Sequence, residues 1–157
     1  MKYLSRDKYA FTTGKDAATI KNILLLNTSI NPKLVMINTN KRFIGQVSNN
    51  SFQVIGSGKK SVLCVIEGKF EPSEDEKTAI SVETRLHKAF LILFIIWAIL
   101  MLAILMVSPF LSEPKEPFSL LILFPFFIAV CFFRLLLHGG YVLSRNAGVK
   151  AINRLLE

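Results

Sequence analysis

The sequence predicts an α+β protein: a small antiparallel β-sheet or partial barrel with one helix, followed by a two-helix transmembrane hairpin and a short amphipathic C-terminal helix. Three observations predict it. From Lys33 to Leu86 short apolar-polar alternations are separated by Asn, Gly and Pro, which is the period of strands and turns. One earlier stretch, residues 16–27, switches to helical spacing. Two long apolar runs come after them, Ala89–Val107 without a charge and Phe118–Leu137 broken only by Arg134. The expected parts are a cytoplasmic β-rich domain over 1–88, a transmembrane hairpin over 89–139 with helices near 89–110 and 118–138, and a tail over 140–157.

In the first part, Lys8–Thr13 reads as an opening strand with Tyr9 and Phe11 on one face. Ala17, Ile20, Ile23 and Leu24 then share a helical face, and Thr13 or Asp16 offers a side-chain oxygen to cap that helix. The Leu24-Leu25-Leu26 run allows a strand at its end, and Asn31-Pro32 breaks the chain. Leu34–Asn38 reads as a strand. Arg42–Ser48 and Ser51–Ser57 form the clearest hairpin, turning at Asn49-Asn50, since Asn tolerates the positive φ of tight turns. That register sets Val47 against Phe52, Gly45 against Val54 and Phe43 against Gly56, so that each glycine faces a larger side chain able to cover it. Ser61–Phe70 and Thr78–Leu86 complete a five-strand antiparallel set. Val62, Cys64, Ile66 and Phe70 share one face, as do Ile80, Val82 and Leu86. The link between these strands, Glu71 to Lys77, is acidic and turn-prone.

In the second part, nineteen helical residues span roughly 29 Å, close to the ~30 Å hydrocarbon layer. Two buried core helices would need covering by more chain than 157 residues leave. Met1–Lys15 has no apolar core of the kind a signal peptide needs, so the first span is expected to direct insertion. Arg85 and Lys88 flank the first span, Arg134, Arg145 and Lys150 lie in or after the second, and the connecting loop holds Lys115 alone. Both termini are therefore expected in the cytoplasm, with the chain in the inner (plasma) membrane. Arg134 lies near enough to its span's end to reach the interface. Trp97, His87 and His138 complete the expected interfacial set. Pro125 removes a donor from the second span and should kink it, either as a tolerated bend in a packed hairpin or as a hinge or pore-lining bend.

The strings Phe43-Ile-Gly-Gln-Val, Phe52-Gln-Val, Glu67-Gly-Lys-Phe-Glu-Pro72 and Arg85-Leu-His-Lys-Ala-Phe90, with Phe94 and Trp97 just beyond, resemble a family of small bacterial membrane proteins of no assigned function. The resemblance runs over most of the chain from Arg42. It implies a β-rich domain, two spans and a short C-terminal helix. Its motif residues, Phe43, Gly45, Phe52, Gly56 and Gly68 among them, are structural, and it carries no catalytic residue.

Chemical motifs are sparse. Gly56-Ser-Gly-Lys-Lys-Ser61 suggests a phosphate loop, but its glycines are two apart and a strand comes next rather than a helix. Asn27-Thr-Ser29 and Asn49-Asn-Ser51 match the glycosylation pattern, yet a cytoplasmic domain never meets that machinery. His87 and His138 lack the further ligands of a metal site, and no metal or other cofactor is expected. Cys64 and Cys131 fall in different parts, which argues against a disulfide. Glu71, Glu74, Asp75 and Glu76 read as a solvated turn. No serine or cysteine has a recognisable base, so no enzyme is expected. The net charge of +8 is scattered, which argues against nucleic acid. In the tail, Val149, Ile152, Leu155 and Leu156 share a face opposite Arg145, Lys150 and Arg154, suited to the inner leaflet or to the β-domain. Gly148 argues for a loose start to that tail, because glycine inside a helix costs about 1 kcal/mol.

The expected partners are the lipid bilayer and, through the β-domain, a protein or small ligand, with self-association through the hairpin possible. The leading expectation is a non-enzymatic, membrane-anchored binding or interaction module. The alternatives are an oligomerising, membrane-disrupting effector of bacterial-defence type, triggered by a ligand on the β-domain, and an accessory or immunity subunit of a membrane complex.

Overall fold

The computed structural model describes residues 6–58, 61–72, 77–111 and 123–156. Lys59 and Lys60, the acidic link around Glu74–Glu76, the loop holding Lys115 and the expected start of the second span at Phe118 lie outside the described residues.

Strand β1 (Arg6–Thr13) alternates between exposed and half-buried along its length, with Tyr9 and Phe11 inward. Helix α1 (Ala17–Asn27) begins where Asp16 accepts a hydrogen bond from Thr19 N at 3.3 Å. Ile20 and Leu24 are fully buried, with Ala17 and Ile23 beside them, as the spacing predicts. The chain passes straight from α1 into a three-residue strand, β2 (Thr28–Ile30), which pairs in parallel with β3 (Phe43–Val47). Parallel neighbours require the chain to travel back outside the sheet before the second strand starts. Residues 31–42 are that return, and the predicted strand Leu34–Asn38 is part of it rather than a strand. Asn31 Oδ1 accepts from Lys33 N at 3.1 Å and turns the chain, and Leu34 takes φ +53°.

Strands β3 and β4 (Ser51–Gly56) pair in the predicted register, Phe43 with Gly56, Gly45 with Val54 and Val47 with Phe52. The turn differs from expectation. Neither Asn49 nor Asn50 has positive φ, and Ser48 N instead donates to Ser51 O at 2.7 Å. The glycines are also filled differently. A Cβ on Gly45 would run into the Gln53 carbonyl oxygen and Val54 Cα, so the neighbouring backbone, not the Val54 side chain, occupies that space. A Cβ on Gly56 would meet Ser61 rather than Phe43.

Strands β5 (Cys64–Pro72) and β6 (Thr78–Leu86) come next, and β1 pairs antiparallel with β6. Among the described residues the sheet is six-stranded, in the order β1-β6-β5-β4-β3-β2. It is mixed where a five-strand antiparallel sheet is expected, and it is open rather than closed into a barrel. The added parallel strand makes β2 one edge, β1 is the other, and closure would need these two to pair.

One face of the sheet carries the main core: Phe43, Phe52, Val54, Cys64, Ile66, Phe70, Ile80 and Val82. The Phe52 ring lies where a Gly68 Cβ would be, and stacks on Phe70 with ring centroids 5.6 Å apart. Val62 departs from the expected face and packs with Ile44, Ile55, Val65 and Leu34 on the opposite side. Two helical segments cover the main core. One is α1. The other is the end of helix α3 (Leu123–Leu156), which buries Tyr141, Ile152 and Leu156. The C-terminal segment is thus the continuation of a 34-residue helix, not a separate short one. Its apolar stripe docks on the sheet, with Val149 and Leu155 half-buried. Gly148 contributes to this docking: a Cβ there would strike Ile66 Cδ1, so glycine permits close approach rather than loosening the helix.

The chain forms two compact units, residues 1–87 with 140–157, and residues 88–139. In the second unit, helix α2 (Lys88–Leu111) meets α3 through Phe133, which stacks on Trp97 at 4.9 Å and Phe94 at 5.6 Å. Both helices are long and apolar enough to cross a membrane. A soluble core helix would be mostly buried, whereas none of α2's apolar stretch is, and only 6% of that in α3. Pro125 stands in the first described turn of α3, and the preceding residues on which a mid-span kink depends lie outside the described residues.

Candidate functional site

The two faces of the sheet are finished differently. The inner face is covered by helices. The outer face has a small apolar cluster at one end, closed by Leu34 over Ile44, Ile55 and Val65. Beyond it the strand registers align a polar row across five strands. Gln46 stands opposite Gln53, Gln53 opposite Glu67, Glu67 opposite Glu83, and Glu83 opposite Lys8. The next row is Ser51, Lys69 and Ser81. Together with Glu71 and Ser48 they line a shallow concavity of about 600 Å³.

Alternation puts these residues there, since every second side chain of a strand points outward. Two carboxylates directly opposite one another repel, and each here has a cation. Glu67 pairs with Arg85 and also accepts from Gln53 Nε2 at 2.7 Å, and Glu83 pairs with Arg6. Carboxylates, amides, hydroxyls and the amines of Lys8 and Lys69 therefore share one uncovered surface. It offers many hydrogen-bond donors and acceptors. Among the described residues no three His, Cys, Asp or Glu gather closely enough to hold a metal ion.

A second polar group, partly buried, ties α3 to the sheet. Tyr141 Oη lies 2.9 Å from Thr84 Oγ1 and donates toward Asp7 Oδ2 at 3.3 Å. Arg145 Nη1 donates to the same Asp7 oxygen at 2.6 Å, and its guanidinium lies 6.0 Å from the Tyr9 ring centre. Ser144 Oγ accepts from Cys64 N at 3.0 Å. At the helix end, Leu156 O accepts from Thr13 Oγ1 at 2.9 Å and Lys15 Nζ at 2.8 Å, which satisfies a carbonyl the helix leaves open. Burial pushes the Tyr141 hydroxyl and the Cys64 thiol each up to about 12. Both therefore hold their protons at neutral pH. The tail's polar side chains Asn146, Lys150, Asn153 and Arg154 line a further hollow with Tyr9, of about 470 Å³.

The residues singled out in the sequence are spread over these features. Arg85 belongs to the outer polar face through Glu67. His87 N donates to Leu63 O at 2.9 Å, and its Nε2 lies 3.2 Å from Leu34 O. Lys88 opens α2 and is exposed. Trp97 stacks within the second unit, and Arg134 and His138 lie exposed on α3. Phe43, Gly45, Phe52, Gly56 and Gly68 are buried in the sheet. Cys64 and Cys131 are both free thiols. Sequence reasoning missed the row Gln46-Gln53-Glu67-Glu83-Lys8. Its signal was the polar phase of each strand, which becomes a row only once all four registers are known.

Compared with known proteins, the chain matches no family model, no curated protein and no solved structure.

Proposed function

We propose that the chain is a non-enzymatic binding module held at the inner membrane by α2 and the first part of α3, which would form a hairpin with both termini in the cytoplasm. The observation that carries the binding role is the uncovered polar row on the outer face, set beside an inner face that α1 and the end of α3 pack against. A surface of mixed carboxylates, amides and amines aligned across five strands suits a polar ligand or the polar face of a protein partner. The exposed apolar side chains of both long helices support the membrane placement, and the basic residues at their ends support the orientation.

The test is site-specific photocrosslinking in cells with a benzophenone side chain at Gln53. A protein partner should give one discrete adduct that Glu67→Arg abolishes, while the same group at the exposed Asn22 of α1 gives none. For a small ligand, native mass spectrometry of the chain extracted from membranes should show a bound mass that Glu67→Arg loses. Absence of both would overturn the reading.

One observation favours a second reading, a ligand-triggered membrane effector. Helix α3 supplies residues to both units and is fastened to the sheet at Tyr141, Ser144, Arg145 and Leu156. A change in the sheet would therefore reach a span through one continuous helix. Induced expression that permeabilises cells, and is silenced by Glu67→Arg, would select this reading over simple anchoring.

A further inference from the structure

Both chain connections between the two units leave the first unit at one end of its sheet. His87, the last residue before α2, donates its N–H to Leu63 O. Gly140, the first residue of α3 to rejoin that unit, packs so close to Leu63 that a Cβ there would stand 2.6 Å from Leu63 Cδ1. The return segment between β2 and β3 is held at the same end. Its Leu34 carbonyl lies 3.2 Å from His87 Nε2, and because a carbonyl only accepts, that nitrogen carries the hydrogen.

Leu34 directs the rest of this segment. Its side chain plugs the outer apolar cluster while its backbone takes φ +53°, a conformation that costs a branched residue free energy and persists only where packing imposes it. The next three residues then turn outward as a contiguous apolar group, Val35, Met36 and Ile37, 53%, 44% and 37% exposed. Exposed Lys33 precedes them, and exposed Lys41 and Arg42 lie a few residues beyond.

We propose that Val35, Met36 and Ile37 insert into the headgroup boundary of the bilayer that α2 enters, forming a third, non-spanning membrane contact. The inference rests on the reading that α2 crosses a membrane. Chain continuity identifies the occupant. The segment is one hydrogen bond from His87, and the peptide bond after His87 leads into an apolar helix of 24 residues. A group so tethered is one residue's contact away from the point where the chain would enter lipid. Lys33 and Lys88, next in sequence to Leu34 and His87, suit anionic headgroups. Apolar side chains framed by cations are the composition of an interfacial anchor.

The full chain in nanodiscs tests this, with Cys131→Ser as background and an environment-sensitive fluorophore on one introduced cysteine. Met36→Cys, Ile96→Cys in α2 and Asn49→Cys in the β3–β4 turn are compared using nitroxide-labelled lipids of graded depth. The expected result is quenching of the Met36→Cys probe by headgroup-level nitroxide, of the Ile96→Cys probe by deep-chain nitroxide, and of the Asn49→Cys probe by neither. Deep quenching at position 96 with none at position 36 overturns the proposal and leaves the spanning reading intact. So does a Met36→Cys probe shielded from aqueous iodide yet unquenched by lipid, which would mark a protein occupant. If the Ile96→Cys probe escapes every nitroxide, the spanning reading fails and this proposal fails with it.

Discussion

A single hydroxyl, on Tyr141, meets two strands from the helix that covers them. It touches Thr84 on β6 and Asp7 on β1, and Asp7 also takes the Arg145 guanidinium. Tyr141→Phe should lower stability by about 1–2 kcal/mol, because the buried Thr84 hydroxyl and the half-buried Asp7 carboxylate lose a partner; a thermal melt of the full chain in detergent measures it. The hydroxyl also sets a pH dependence. Tyr141 in the fold holds its proton up to about 12, against an ordinary value near 10, and burial is the main cause. The folded state therefore binds more protons than the unfolded one in that window, and this stabilisation, complete below it, is lost as pH rises through it. Cys64 acts in the same direction from near 9 to about 12. The melting midpoint should fall over this range, and less steeply in Tyr141→Phe; equal slopes would show that the hydroxyl is not buried as described. At Gly45 the constraint is steric. Gly45→Val should cost about 1–3 kcal/mol by the same melt, since its side chain would enter space held by the Gln53 carbonyl. An unchanged midpoint would contradict the β3–β4 pairing.

Among the elements, α3 decides where the folded domain ends. Its last turns bring Ile152 and Leu156 into the same core as Phe43, Val54 and Ile66. Residues 1–87 alone should therefore expose apolar surface, bind a hydrophobic dye and melt below the full chain. A synthetic peptide of residues 140–157 should raise that midpoint, and no effect of the peptide would mean the helix end is dispensable. Docking on protein also predicts that amide protection over 149–156 is the same in nanodiscs with and without anionic lipid; protection that tracks lipid charge would place the stripe on the membrane instead. The sequence carried part of this arrangement. Asp16 as cap, the Ile20–Leu24 face, the hairpin register and the two apolar helices are all written in local periodicity. The parallel strand β2 was not, because three residues directly after a helix show no alternation, and its return segment 31–42 imitates a strand. Nor was the pairing of Tyr141 and Arg145 with Asp7. No local pattern joins positions more than 130 residues apart, and Gly148 read alone signalled weakness where it marks close packing. The outer polar row shared that fate: each of its residues looked like an ordinary solvated strand position until register joined them.

For the whole molecule, the proposed function turns on which side of a membrane the polar row would face. Arg85 precedes α2 and Lys88 opens it, Arg134, Arg145 and Lys150 lie along or after the apolar part of α3, and the connecting loop carries Lys115 with Glu113 and Glu116. Basic residues near span ends are retained on the cytoplasmic side, so the proposed topology would put both the sheet and the C-terminus there, and with them any partner of Gln53 and Glu67. A Ser112→Cys variant decides this. Cys131→Ser suffices as background, since Cys64 is buried and its thiol is protonated at labelling pH. A membrane-impermeant maleimide should label Ser112→Cys in intact cells and Asn49→Cys only after permeabilisation. The reverse pattern would invert the topology and move the polar row, and with it the search for a partner, to the outside of the cell. Labelling of both sites in intact cells would mean that the first unit and the loop share the outer side, so that the helices do not form a hairpin with the sheet inside.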